Sequence, residues 1–171
     1  MRVAAVVLAA GAASRYGAPK QRVFLPRVLA RLRESSVEDV VVVAGAYSIE
    51  ADATVVDCPD WERGPGASLR CGLRTLDADA AVVVLADGPN LDPRAVDRVV
   101  EAWLAGAGQA LAATYDGANR SHPVLLGRAA WSGIPDDGAR ALAVTLVRCD
   151  DLTEPGDVDS PEGLGDGDGE S

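Results

Sequence analysis

Lysine is almost missing from this chain of 171 residues: it occurs once, at Lys20, against fifteen arginines. Histidine, phenylalanine and methionine also occur once each, and aromatic residues make up 4% of the total. With 48% hydrophobic residues, this composition predicts an interior of alanine, valine and leucine, common in parallel α/β proteins. No run of eighteen apolar residues exists, so the sequence offers no membrane span. Met1 leads directly into a strand pattern without a charged leader and cleavage site, so no signal peptide is expected. Cys58, Cys71 and Cys149 are odd in number, widely spaced and without a C-x-x-C pair. They argue against a zinc ribbon, and the expectation is reduced thiols in a cytoplasmic enzyme.

Positive charge is scarce as well, and its distribution matters. The formal net charge is −10, but nine acidic residues and no basic ones lie from Asp150 onward. The first 149 residues therefore hold 16 basic and 17 acidic side chains and are nearly neutral. A nucleic-acid surface would need a basic patch, and none is visible. Residues 165–171 have almost nothing apolar to bury, which predicts a disordered acidic tail after a single domain spanning residues 1–164.

Strand patterns recur between helical ones. Strands are expected at Val3–Leu8, Val40–Ala44, Ala53–Asp57, Ala80–Leu85, Ala110–Thr114 and Thr145–Cys149. Helical spacing falls at Leu25–Ser35, Ala67–Leu76, Pro93–Leu104 and Asp137–Val144, with Asp92 placed as N-cap and Pro93 at the first helical position. Such alternation predicts a mostly parallel sheet with helices on both faces, and ligands beyond the carboxyl ends of its strands.

Two loops leave such ends. The first runs Leu8-Ala9-Ala10-Gly11-Ala12-Ala13-Ser14-Arg15-Tyr16-Gly17-Ala18-Pro19-Lys20. Small residues allow backbone N–H groups close to an anion, and Arg15 and Lys20 supply countercharge. It is neither the dinucleotide fingerprint nor the P-loop, because Gly11 and Gly17 lack the required spacing and no G-K-[ST] follows. The second loop, Asp87-Gly88-Pro89, puts a carboxylate after five apolar residues and an alanine. A hard cation bridging phosphates would want such a group, though Asp also opens turns of this kind for purely structural reasons.

The first loop, read as L-A-A-G-x-x-S-R-x-G-x-x-K, resembles the nucleotide signature of MobA-like NTP transferases, nearest the molybdenum cofactor cytidylyltransferase branch. Later segments resemble the same family in order. Trp61-Glu62-Arg63-Gly64 with Gly66, Ser68 and Leu69 is similar to its base-contacting loop, where small residues let a flat ring approach and Ser68 can hydrogen-bond or cap the helix. Asp87-Gly88-Pro89 keeps its metal-binding acid and proline. His122-Pro123-Val124-Leu125 is similar to a segment on its acceptor side, Asp136-Asp137-Gly138-Ala139-Arg140 resembles its G-D-x-G-A-R, and Asp157-Val158-Asp159-Ser160-Pro161-Glu162 resembles a late acidic segment.

The resemblance implies a single-domain, three-layer Rossmann-like nucleotidyltransferase fold. It also implies Mg²⁺-dependent transfer of a nucleotide to a phosphorylated acceptor such as molybdopterin. Arg15, Lys20 and Asp87 would be catalytic. Leu8, Ala9, Ala10, Gly11, Ser14, Gly64, Gly66 and Ser68 would bind nucleotide beside Arg15 and Lys20, His122 and Arg140 would bind acceptor, and Asp87 with Asp159 or Asp157 would bind metal. An alanine at Ala10 implies CTP, since the guanosine form of the loop has glycine there. Open beside it stand a transferase of GTP or of another acceptor, a nucleotide-binding accessory protein without catalysis, and an oxidoreductase, the last disfavoured by the missing fingerprint.

Overall fold

The computed structural model describes residues 1–11 and 20–156, with the backbone alone for residues 20 and 21. Ser14, Arg15, the Lys20 side chain, Asp157, Asp159 and the expected tail of residues 165–171 lie outside the described residues.

The sheet has seven strands in the order β3-β2-β1-β4-β6-β5-β7. They are β1 (Val3–Ala9), β2 (Asp39–Ala44), β3 (Thr54–Asp57), β4 (Ala80–Leu85), β5 (Ala110–Thr114), β6 (Arg120–Gly127) and β7 (Thr145–Arg148). All paired neighbours run parallel except β6, which is antiparallel to both β4 and β5. β1 and β4 are continuous runs of small and branched apolar residues, and almost every side chain on them is buried. That is what a parallel strand covered on both faces requires.

Three helices cover the sheet. α1 (Lys20–Arg33) and α3 (Pro93–Leu104) pack one face through Leu25, Val28, Leu29, Leu32, Val96, Val99 and Trp103. α2 (Pro65–Leu73) covers the other through Leu69, Cys71 and Leu73, joined by Ile134. The expected α/β architecture with both faces covered is thus present, and no helix of the described residues is long and apolar enough to cross a membrane. Asp92 caps α3 as expected: its backbone is extended and its side-chain oxygen accepts the Arg94 N–H at 2.9 Å, with Pro93 following.

Five local expectations are corrected. α1 begins at Lys20, not Leu25, and carries Pro26 inside it on the exposed side, where water can serve the unpaired Arg22 carbonyl. α2 begins at Pro65 with Gly64 as its N-cap, so Ser68 is a buried helical residue and not the cap. Residues 137–144 form only a short 3-10 turn, Ala139–Ala141. Gly138 breaks the helical pattern with φ 88°, and the carbonyls of Ala139 and Leu142 accept from Arg120. β6 was hidden by Pro123, which cannot donate to a ladder; the β5–β6 register shifts there, between Ala112↔Val124 and Ala113↔Ser121, forming a bulge around His122 and Pro123. Finally, Cys58 and Cys71 form a disulfide, with Cα atoms 5.9 Å apart, because α2 folds back over the end of β3. Only Cys149 is a free thiol; burial pushes its pKa up.

Gly72 sets the distance between α2 and the sheet. A Cβ there would lie 2.8 Å from Val43 Cγ2 and 2.9 Å from Val6 Cγ1, both on stiff side chains in the core. Gly72→Ala should therefore lower unfolding stability by about 1–3 kcal/mol despite alanine's better helix propensity. Urea denaturation checks this; an unchanged or raised midpoint would show that α2 does not depend on this close approach.

Candidate functional site

The pairing Leu8↔Leu85 brings the carboxyl ends of β1 and β4 level. The Ala86 N–H donates to the Leu8 carbonyl at 3.0 Å, so the loops carrying Gly11 and Asp87 leave side by side. Between them and the start of α2 lies a cleft of about 320 Å³. Leu8, Ala10, Gly11, Gly64, Ser68 and Asp87, all expected at the site, line it together with Trp61, Glu62, Pro65 and Leu85. Ala9 ends β1 with its side chain in the core behind this wall.

Each wall has a local cause. Ala10 gives its carbonyl to the Ala46 N–H at 3.0 Å. A Cβ on Gly45 would fall 2.6 Å from Trp61 Cβ and 2.9 Å from Ala10 Cβ, so this glycine lets Trp61 close against Ala10. Gly64, at φ 131°, turns the chain from the 3-10 turn Trp61–Arg63 into α2.

Gly66 is not among the lining residues. Its N–H donates to the Asp136 carbonyl at 2.8 Å, and a Cβ on it would collide with the Pro135 carbonyl oxygen. The glycine thus serves a backbone crossing between α2 and residues 135–136. Arg70 tightens this crossing by donating to Asp136 Oδ1 at 2.6 Å and to the Ile134 carbonyl at 2.7 Å, while Arg63 reaches Asp136 Oδ2 at 3.4 Å. Arg70 first, and then Arg63, hold the Asp136 carboxyl below the usual carboxylate range.

Ser68 is the unusual member of the cleft. It is 3% exposed, and its hydroxyl has no hydrogen-bond partner among the described residues. Buried hydroxyls are nearly always partnered, so an orphan lining a cleft marks a place for a ligand atom.

A second cleft, about 420 Å³, adjoins the first and shares Leu8, Pro65 and Leu85 with it. Its floor is apolar, and His122 and Arg140, the expected acceptor residues, both line it with Arg120 and Ser121. Tyr115 holds the His122 carbonyl by a hydroxyl bond of 2.8 Å, and burial raises the tyrosine's pKa. Arg140 is 75% exposed and stands 3.9 Å from Asp137.

For a metal, Asp87 is the carboxylate at the junction, with Glu62 on the same cleft. Among the described residues no three potential ligands cluster. The last described stretch nevertheless returns to this corner: the Asn90 N–H donates to the Pro155 carbonyl at 3.2 Å, and a Cβ on Gly88 would lie 3.2 Å from both the Gly156 carbonyl oxygen and Pro155 Cβ. The last described residues thus lie beside Asp87's own loop. Asp87 and Glu62 give this cleft hard oxygen donors of the kind Mg²⁺ takes, with waters and substrate oxygens usually completing its ligands.

Sequence reasoning missed Glu62, Pro65, Arg70 and Arg120, and it gave Asp136 no role beyond membership of the motif around Arg140. Glu62 and Pro65 lie within the tryptophan-glycine motif and were legible as its neighbours; nothing local marks the Arg70–Asp136 crossing, which joins residues 66 positions apart.

A largely parallel sheet with adjoining clefts at its carboxyl ends defines an open α/β class that takes its ligands at those ends. Residues 5–146 match the MobA-like NTP transferase domain, and the chain belongs to that family. Over 103 residues it is 29% identical to a protein of Bacillus mycoides named probable molybdenum cofactor guanylyltransferase. That match takes in 53% of this chain and 51% of the relative, so the chain spans about half the length of the curated relative it matches. Among solved structures it is similar to Rv0371c of Mycobacterium tuberculosis, with a TM-score of 0.76 at 24% identity over 95% of this chain and 94% of that one. A nucleotidyl transferase of Methanothermobacter thermautotroptrophicus gives 0.72 at 19% identity, covering 90% and 88%. At these identities the likeness speaks for the fold.

The lowered pKa of Asp136 has a pH signature. The stabilisation is present above the ordinary carboxylate pKa of about 3.9 and is lost as pH falls through the lower folded value. Thermal midpoints of Asp136→Asn should therefore fall less steeply below about pH 4 than those of the wild type. Parallel curves would mean that Arg70 holds the loop through the Ile134 carbonyl alone.

Proposed function

We propose that the protein is a nucleotidyltransferase, with the first cleft taking a nucleoside triphosphate and the second its acceptor. The observation that carries this reading is that the two clefts adjoin, sharing Leu8, Pro65 and Leu85, with Asp87 and the orphan Ser68 hydroxyl on the first. An oxygen of the acceptor, most simply a phosphate oxygen, attacks the α-phosphorus. A new P–O bond forms, the α–β bridging P–O bond breaks, and pyrophosphate leaves with the electron pair. Such a reaction asks the protein for alignment and for charge neutralisation, not for a covalent intermediate.

In this reading Lys20 and Arg15 neutralise the triphosphate, with Ser14 beside them. Asp87 would hold Mg²⁺ with Asp159 or Asp157, supported by the approach of Gly156 to Gly88. The metal would supply charge stabilisation at the leaving group. The acceptor would be a phosphorylated small molecule of the molybdopterin type, in keeping with the family and with the name of the B. mycoides relative. That name speaks for GTP, whereas Ala10 speaks for CTP. Its methyl lies on the cleft wall against Gly45 and Trp61, where a glycine would open more room for a purine. The proposed donor is therefore CTP.

Calorimetric titration with Mg²⁺ should accordingly give tighter binding of CTP than of GTP. Equal affinities or a preference for GTP would overturn the choice of base and leave the transferase reading standing. Binding of neither would remove that reading.

Two substitutions test the chemistry. Lys20→Ala should cost a charge-assisted hydrogen bond of about 1.5–3 kcal/mol, roughly ten- to a hundredfold in kcat/KM for pyrophosphate release. Asp87→Asn keeps the side-chain shape but removes the charge, and should abolish metal-dependent turnover while thermal unfolding stays the same. Full turnover in either folded variant would contradict the assigned role.

A further inference from the structure

The second cleft contains a cation that the matched motifs do not include. Arg120 opens β6 and lines this cleft, and among the described residues its guanidinium donates only to main-chain oxygens: Leu142 at 2.6 Å, Ala139 at 2.8 Å and Arg140 at 3.5 Å. No carboxylate among the described residues pairs with it. Other arginines of the fold, such as Arg70, Arg98 and Arg148, are each neutralised by an aspartate within 2.8 Å. Carbonyls fix a guanidinium in place and leave its net charge uncancelled.

That charge faces a cleft floored by Leu69, Val83, Leu85 and Val124. An apolar, half-buried surrounding weakens solvent screening, so a fixed cation here attracts an anion more strongly than one in water. Arg140 differs on both counts, being 75% exposed and accompanied by Asp137. Exposed pairs of that kind contribute little.

We infer that Arg120 is the fixed cation that selects an anionic acceptor, and that its phosphate oxygens are what it holds. This rests on the proposed reaction, in which the acceptor attacks through a phosphate. Arg120 also ties the 139–142 turn to β6, so one side chain both shapes the acceptor cleft and charges it. Arg140 is then a residue of the rim.

The chain's only histidine supplies the readout, because His122 lines the same cleft. Inorganic phosphate is titrated at constant pH and ionic strength while the imidazole proton signals of His122 are followed by NMR. In the wild type they should shift saturably. Arg120→Met should raise the midpoint about tenfold or more, as expected for loss of a charge-assisted bond. Arg120→Lys, which keeps the charge, should raise it less, and covers the case in which the methionine variant does not fold. Arg140→Met should leave the midpoint within about threefold, the expectation for an exposed charge.

No saturable shift in the wild type would overturn the inference. So would a midpoint that follows Arg140, or one equally affected by the lysine and methionine variants. Nucleotide binding, measured separately, distinguishes failure of this inference from failure of the transferase reading.

Discussion

The parallel register of β1 against β4 is the constraint on which the rest of this molecule depends. Six consecutive pairs, from Val3↔Ala80 to Leu8↔Leu85, end together and deliver two loops to one place. A slip of one residue would turn every side chain of β1 to the opposite face. It would also separate the Ala86 N–H from the Leu8 carbonyl and part Gly11 from Asp87. The burial of Val6 and Val7 on opposite faces, against α2 and α1 respectively, makes such a slip prohibitive.

On this base the site is built by close backbone approaches. Gly45 lets Trp61 meet Ala10, Gly66 lets α2 cross residues 135–136, and Gly88 accommodates the returning chain at Pro155 and Gly156. The two clefts are therefore mechanically joined. Asp136 is bound to the α2 wall of the first, and the residues that follow it form the wall of the second. Arg120 closes the arrangement from the far side.

Much of this was legible in the sequence, and the exceptions have physical reasons. Uniformly apolar strands such as Val3–Ala9 and Ala80–Leu85, and the Asp92-Pro93 helix start, carry their structure locally. So do the small-residue loops, which is why five of the expected nucleotide residues meet Asp87 on one cleft. β6 was concealed because its proline reads as a strand breaker until the bulge is seen. The apolar spacing of residues 137–144 imitates a helix, but Arg120, seventeen or more residues away, draws off the carbonyls. The disulfide and the Arg70–Asp136 crossing join residues that only the fold brings together.

The Cys58–Cys71 link encloses a short loop of chain containing Trp61, Glu62, Gly64, Pro65 and Ser68, half of the first cleft's lining. Those residues thus belong to a covalent ring, closed through sulfur and seated on the sheet by Leu69 and Leu73. A ring has fewer shapes open to it than a strand of chain with free ends. Whatever enters the cleft consequently meets a wall whose form was decided before it arrived, and the ordering cost of that wall falls on folding and not on binding.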